Sequence, residues 1–132
     1  MSTFSELQCE SFVCSCDHGF WDSLRREDTR VRDDAVNRYA ALDPEKVLLA
    51  VPEKLCLIHS ELSEALEDFR SQRMVVWLEG RDEKPCGFPT ELADAVIRIM
   101  DLCSALGIDL EKEIKRKQEY NRGRPYKHGR AC

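Results

Sequence analysis

The chain has 132 residues, 42% hydrophobic and 34% charged, with 6 Gly and 5 Pro, which excludes collagen-like, low-complexity and wholly disordered classes and fits one domain with one core. No apolar run approaches the ~20 residues of a membrane span, and the first ten residues carry no basic-then-apolar leader, so a soluble cytoplasmic protein with no membrane partner is expected. A formal net charge of −5 opposes non-specific binding to duplex DNA, and no nucleic-acid partner is expected.

In chain order, the first predicted helix runs from Phe4 to about Cys16 and ends near the Gly19-Phe20-Trp21 turn. It carries Cys9, Cys14 and Cys16, three of seven cysteines. An odd number of cysteines without a leader points to free thiols. Cys9, Cys14, Cys16 and His18 are zinc-type ligands, but they include no CxxC pair, and Cys14 and Cys16 fall on opposite sides of a helix. Arg25 to Ala41 is highly charged and weakly amphipathic, and reads as a connection or a surface helix.

Asp43-Pro44 is an N-cap followed by proline at the first helical position. Pro52 is expected to interrupt, with a long helix from about Pro52 to Gln72. On it Leu55, Ile58, Leu62, Leu66 and Phe69 recur at helical spacing and form a narrow apolar seam. Met74 to Leu78 is too short an apolar run to define a strand, and Glu79 to Phe88 is predicted to be a loop. The next helix starts at Pro89-Thr90 and reaches Leu106, with a stripe of Leu92, Ala95, Val96, Ile99, Leu102, Cys103 and Leu106. Gly107 stops it. Asp109 caps a last helix to about Asn121, which Gly123-Arg124-Pro125 terminates. The fold class is therefore all-α: a single domain over residues 1–132, built as a four-helix-type bundle.

Carboxylates flank both apolar stripes. Glu61 and Glu64 lie three apart on the long helix, with Asp68 a turn further on. Glu91 and Asp94 repeat the spacing on the later helix, and Arg98 and Asp101 share that flank. An i, i+3 spacing sets two carboxylates side by side, so two facing helices would present four of them to one cavity. Such a cluster repels itself unless a hard divalent cation relieves it, and bundles do build carboxylate metal sites this way. Neither helix carries a Glu-x-x-His pair, which argues against a di-iron site.

Charge is also divided along the chain. Residues 112–130 hold eight basic residues against two acidic ones, so an acidic body adjoins a basic end of about 20 residues suited to a polyanion. The sequence holds no GxxxxGK[ST] phosphate loop, no GxGxxG and no GxSxG.

These features occur in an ordered set: His18-Gly-Phe-Trp-Asp22, then Leu57-Ile-His-Ser-Glu61-Leu-Ser-Glu64-Ala-Leu-Glu67, then Lys84-Pro-Cys-Gly-Phe88 leading into Glu91-Leu-Ala-Asp94-Ala-Val-Ile-Arg98. Gly107-Ile-Asp-Leu110, Lys117-Gln-Glu-Tyr-Asn121 and Arg124-Pro-Tyr-Lys-His128-Gly follow. The set resembles the short phage- and cassette-type members of the MazG-like all-α nucleoside triphosphate pyrophosphohydrolases, over about residues 14–22 and 52–130. The resemblance implies Mg²⁺-dependent (or Mn²⁺-dependent) cleavage of nucleoside triphosphates between the α- and β-phosphates. It implies Glu61, Glu64, Glu91 and Asp94 as metal ligands, with Glu64 as the group acting on the attacking water. It further implies that Lys117, Asn121, Arg124, Lys127 and His128 hold phosphates or sugar, and that Trp21 or Trp77 stacks on the base. Many relatives carry another Glu one turn before the ExxE pair, where this chain has Ile58. Such bundles are completed as dimers or tetramers, so a homodimer or homotetramer is expected, and the wide stripe on Leu92 to Leu106 agrees. Without the resemblance, the residues alone leave open a non-catalytic nucleotide- or metal-binding module, or a helical interaction protein whose basic end docks an acidic partner.

Overall fold

A computed structural model describes residues 3–26 and 39–124. Most of the charged Arg25-to-Ala41 stretch, and with it the choice between a connection and a surface helix, lies outside the described residues, as do Lys127 and His128. The protein is all-α, with four helices among the described residues: α1 (Phe4–Asp17), α2 (Pro44–Arg70), α3 (Phe88–Ala105) and α4 (Leu110–Arg122). A 3-10 turn covers Asp22–Leu24, and two short strands, β1 (Trp77–Glu79) and β2 (Lys84–Cys86), join α2 to α3. Among the described residues no helix is long and apolar enough to cross a membrane.

Local chemistry sets the helix starts. Thr3 and Glu6 form a reciprocal capping box on α1. Asp43 accepts from the backbone N–H groups of Glu45 and Lys46 at the start of α2, where Pro44 needs no donor of its own. Asp109 caps α4 by accepting from the Lys112 N–H at 3.0 Å.

Two expectations are revised. Pro52 does not start a helix; it sits inside a continuous 27-residue α2. An interior proline costs about 3 kcal/mol, and buried Val47 and Ala50 before it and Ile58 after it hold both halves of α2 to the rest of the chain. Residues 79–88 are not simply loop: β1 and β2 pair antiparallel, Trp77 opposite Cys86, Leu78 opposite Pro85 and Glu79 opposite Lys84. Three-residue strands leave too few alternations to be seen in a sequence. The hairpin is fixed from below by Gly87, at φ +114°, where an added Cβ would lie 2.3 Å from the Val75 carbonyl oxygen and 2.9 Å from the Trp77 ring. Only glycine lets the chain pass so close to β1 as it enters α3.

The central element is α3, which packs against α2 and against α1. Phe12 and Cys16 of α1, Trp21, Leu42, Val47 and Ile58 of α2, and Leu102 and Ala105 of α3 form the main core. The inward seam of α2 is Val47, Ala50, Ile58, Glu61, Ala65 and Asp68. Of the seam expected from hydrophobicity, Ile58 alone is buried; Leu55, Leu62, Leu66 and Phe69 are all exposed. Sequence periodicity found the right spacing but favoured the face rotated by one residue, about 100° around the helix.

Candidate metal centre and adjoining cleft

The inward rotation of α2 places Glu61 against α3. Glu61, Glu64 and Glu91 each offer a carboxylate oxygen within 4.8 Å of the others, and among the described residues no other group of three His, Cys, Asp or Glu side chains does so. Two of the three come from the i, i+3 pair on α2 and the third from the first turn of α3. The oxygens are hard donors of the type Mg²⁺ and Mn²⁺ prefer, and three convergent carboxylates leave room for water or phosphate oxygens. The donor set therefore fits a hard divalent cation. Cys9, Cys14, Cys16 and His18 do not converge as a set of three. Cys14 Sγ and His18 Nδ1 are 3.7 Å apart, and that nitrogen lies 2.8 Å from the Cys14 carbonyl oxygen.

Glu91 is held above the ordinary glutamate range by loss of solvent, and then by the negative charges of Glu64, Asp94, Asp68 and Glu61. Asp94 is also raised, by burial and by Glu61, with Arg98 and Lys84 acting against the shift. The cluster is thus short of positive charge as it stands. Asp94 lies beside the three glutamates rather than among them, and it faces an adjoining cleft.

Arg98, one turn beyond Asp94, supplies the nearest cation. Its Nε donates to Glu61 Oε1 at 2.6 Å across the α2–α3 boundary. Asp68 is buried too, and Arg73 meets it at 2.9 Å where α2 gives way to β1. Sequence reasoning placed Arg98 and Asp68 on the carboxylate flanks without assigning them a task. The signal available was their i, i+3/i+4 continuation of the carboxylate rows.

The cleft, of about 250 Å³, is lined by Ser11, Cys14, Ser15 and His18 of α1 and its end, Phe20, Lys54 and Leu57, and by Asp94, Ile97, Arg98 and Asp101. Its α1 side is rigidly built. Ser15 Oγ donates to Asp101 Oδ2 at 2.9 Å, and Trp21 Nε1 donates to Oδ1 at 2.8 Å. Burial raises the Asp101 carboxyl above its usual range, although both donors pull it down. Lys54 Nζ lies 4.4 Å from the Trp21 ring centre and donates to the Phe20 carbonyl.

The other expected site residues fall elsewhere. Trp21 is wholly buried, against Phe12 on one side and Lys54 on another, so its ring is a core element and is not available to stack on a base. Trp77 is taken up by the hairpin, under Arg73 and close to Gly87. Lys117 and Asn121 lie on α4 and Arg124 just beyond its end; α4 has no buried residue and packs mainly on α1, where Ser5 donates to Glu111. None of the three lines the cleft beside the carboxylates. Lys117 and Arg124 instead flank the Tyr120 ring, and neither has an acidic partner among the described residues. By contrast Lys115 pairs with Glu111, Arg116 with Glu113 and Arg122 with Glu119.

No family model, curated protein or solved structure matches the chain.

Proposed function

We propose that the chain is a divalent-cation-dependent nucleoside triphosphate pyrophosphohydrolase of the MazG-like kind, acting in nucleotide-pool housekeeping. The observation that carries this reading is the convergence of Glu61, Glu64 and Glu91 beside a cleft that Asp94 and Arg98 border. The ordered motifs of the sequence add the reaction class.

Glu61, Glu64 and Glu91, with Asp94 beside them, would hold Mg²⁺ or Mn²⁺. When bound, the cation supplies neutralisation of the triphosphate and acidification of the attacking water. Glu64 is the exposed member of the cluster. It has room to accept a proton from that water and to aim it at a phosphorus of the α–β bridge. The bridging P–O bond breaks as the new one forms, and pyrophosphate leaves a nucleoside monophosphate. The cleft between α1 and α3 accommodates the nucleoside, with Ser15, His18, Lys54 and Asp101 as its polar walls.

The same reading includes a homodimer or homotetramer. Leu62, Leu66 and Phe69 of α2 are exposed, each following a residue of its inward seam, and so are Leu92 and Val96 of α3, Val96 next to buried Ala95. In an antiparallel helix pair such positions share one side of the pair. A second copy covering that side would also be the source of Lys117, Asn121 and Arg124 for the phosphates. If so, mixing Glu64→Gln chains with Lys117→Ala chains restores activity that each lacks alone; two variants that stay inactive when mixed argue for sites complete within one chain.

The reaction itself is tested with the eight common ribo- and deoxyribonucleoside triphosphates and Mg²⁺, with products read by phosphorus NMR. Monophosphate with pyrophosphate is expected. Diphosphate with orthophosphate would assign a different phosphohydrolase, and no product from any of them would remove the enzymatic reading.

A further inference from the structure

Hydrolysis as proposed leaves one ion pair without a task. Glu61 is the most buried of the three clustered glutamates, and its side chain retains 9% of its exposure against 38% for Arg98. The guanidinium meets Glu61 through its Nε, while the residue also lines the cleft with Asp94 and Asp101. Among the described residues Glu64 and Glu91 have no ion pair at all. The cation in direct contact with the cluster is therefore committed to the glutamate that solvent reaches least.

That arrangement sets up a competition. A guanidinium 2.6 Å from a carboxylate oxygen and a divalent cation on the same carboxylate repel each other strongly at such range. Removing Arg98 with nothing in exchange would leave Glu61 buried and uncompensated, which is costly. A phosphate chain in the cleft changes the exchange. It offers the planar guanidinium fork a more highly charged partner, and the cation replaces Arg98 on Glu61.

We propose that Arg98 is a positioning residue that couples the two ligands: it occupies Glu61 in the empty site and moves to the phosphate chain of the substrate as the divalent cation takes Glu61. This rests on the hydrolytic reading of the same site. Arg98 then opposes cation binding alone and favours the phosphate chain once a cation holds Glu61. Cation and triphosphate consequently raise each other's affinity, by the same factor in both directions.

The test uses the full chain and two titrations. Mn²⁺ alone is titrated calorimetrically, and inorganic tripolyphosphate is titrated at saturating Mn²⁺, into wild type and Arg98→Met. The expected signature is two changes of opposite sign. Arg98→Met binds Mn²⁺ more tightly than wild type and tripolyphosphate about tenfold more weakly, the scale of one lost charge-assisted hydrogen bond. A residue that merely supports the fold would weaken both. Loss of both affinities, or no change in either, overturns the proposal. Arg98→Gln, which still donates a hydrogen bond to Glu61, gives the same discrimination should the methionine variant not fold. A wild type that binds no Mn²⁺ would remove the hydrolytic reading and this coupling together. Mn²⁺ binding that Arg98→Met and Arg98→Gln leave unaltered would remove the coupling alone.

Discussion

Two seams run along α2, one residue apart, and the fold uses them in opposite ways. The seam through Leu55, Leu62, Leu66 and Phe69 is the more hydrophobic and faces outward. The seam through Ile58, Glu61, Ala65 and Asp68 is less hydrophobic, contains two acids and faces α3. A globular chain that only sought to bury apolar surface would choose the first. The choice of the second puts carboxylates into the space between helices, where Arg98 and Arg73 are needed to hold two of them. Burial of charge at the expense of an available apolar face is the structural mark of a site. The apolar face is left exposed.

The largest effect that separates the two seams is catalytic. Glu64 is exposed and without an ion pair among the described residues, so Glu64→Gln leaves the helical circular dichroism unchanged. It lowers turnover by about 10³-fold, within the range for a group acting on a reacting proton. A variant with full turnover would remove Glu64 from the chemistry.

The next effect lies where the hairpin delivers Glu91. Gly87 has a positive φ and no space for a Cβ beside the Val75 carbonyl. Gly87→Ala is expected to destabilise the fold by about 2 kcal/mol or more, read from chemical denaturation. An unaffected midpoint would mean that the start of α3 can shift without cost.

A direct contrast comes from neighbouring positions on α2. Ala65 is buried on the acidic seam, and Ala65→Leu overfills it at a cost of about 1–3 kcal/mol. Leu66 is exposed on the apolar seam, so Leu66→Glu changes the stability of a single chain by no more than about 0.5 kcal/mol. Sedimentation distinguishes what covers that face: Leu66→Glu lowers the mass to that of one chain if a second copy sits there. An unchanged mass would assign the apolar seam to something else.

How much of this was legible in the sequence follows from the same two seams. The helix spans of α1, α3 and α4 could be read because capping residues and Gly107 mark their ends. The carboxylate rows could be read because i, i+3 spacing is visible without a structure. The facing of α2 could not, since hydrophobicity ranks Leu62 above Glu61 and contains nothing about Arg98 waiting on another helix. Trp21 illustrates the same limit: an aromatic near a turn can stack on a ligand or fill a core, and its Nε1 bond to Asp101 is a contact across 80 residues of sequence. The hairpin was hidden by its brevity, and the docking of α4 on α1 by the absence of any sequence rule for helix docking.

The smallest expected effect concerns the carboxylate on the α1 side of α3. Asp101 keeps its proton to higher pH in the folded chain than in the unfolded one, because burial outweighs its two donors. Its contribution to stability is therefore present below the ordinary aspartate range and lost as pH rises through the raised value. Relative to Asp101→Asn, wild type should gain about 1–2 °C in melting temperature on acidification from neutral pH. A difference that shrinks on acidification would contradict the assignment of burial as the dominant cause.

Where a divalent cation binds is the most direct test of the carboxylate cluster. Crystals of the full chain soaked with Mn²⁺ and measured at an anomalous-scattering wavelength locate it without reference to activity. The expected result is a peak bounded by the carboxylates of Glu61, Glu64 and Glu91, close to Asp94. A manganese ion bound elsewhere with that cluster left empty, or none at saturating Mn²⁺, would contradict the claim that Glu61, Glu64 and Glu91 form a metal centre.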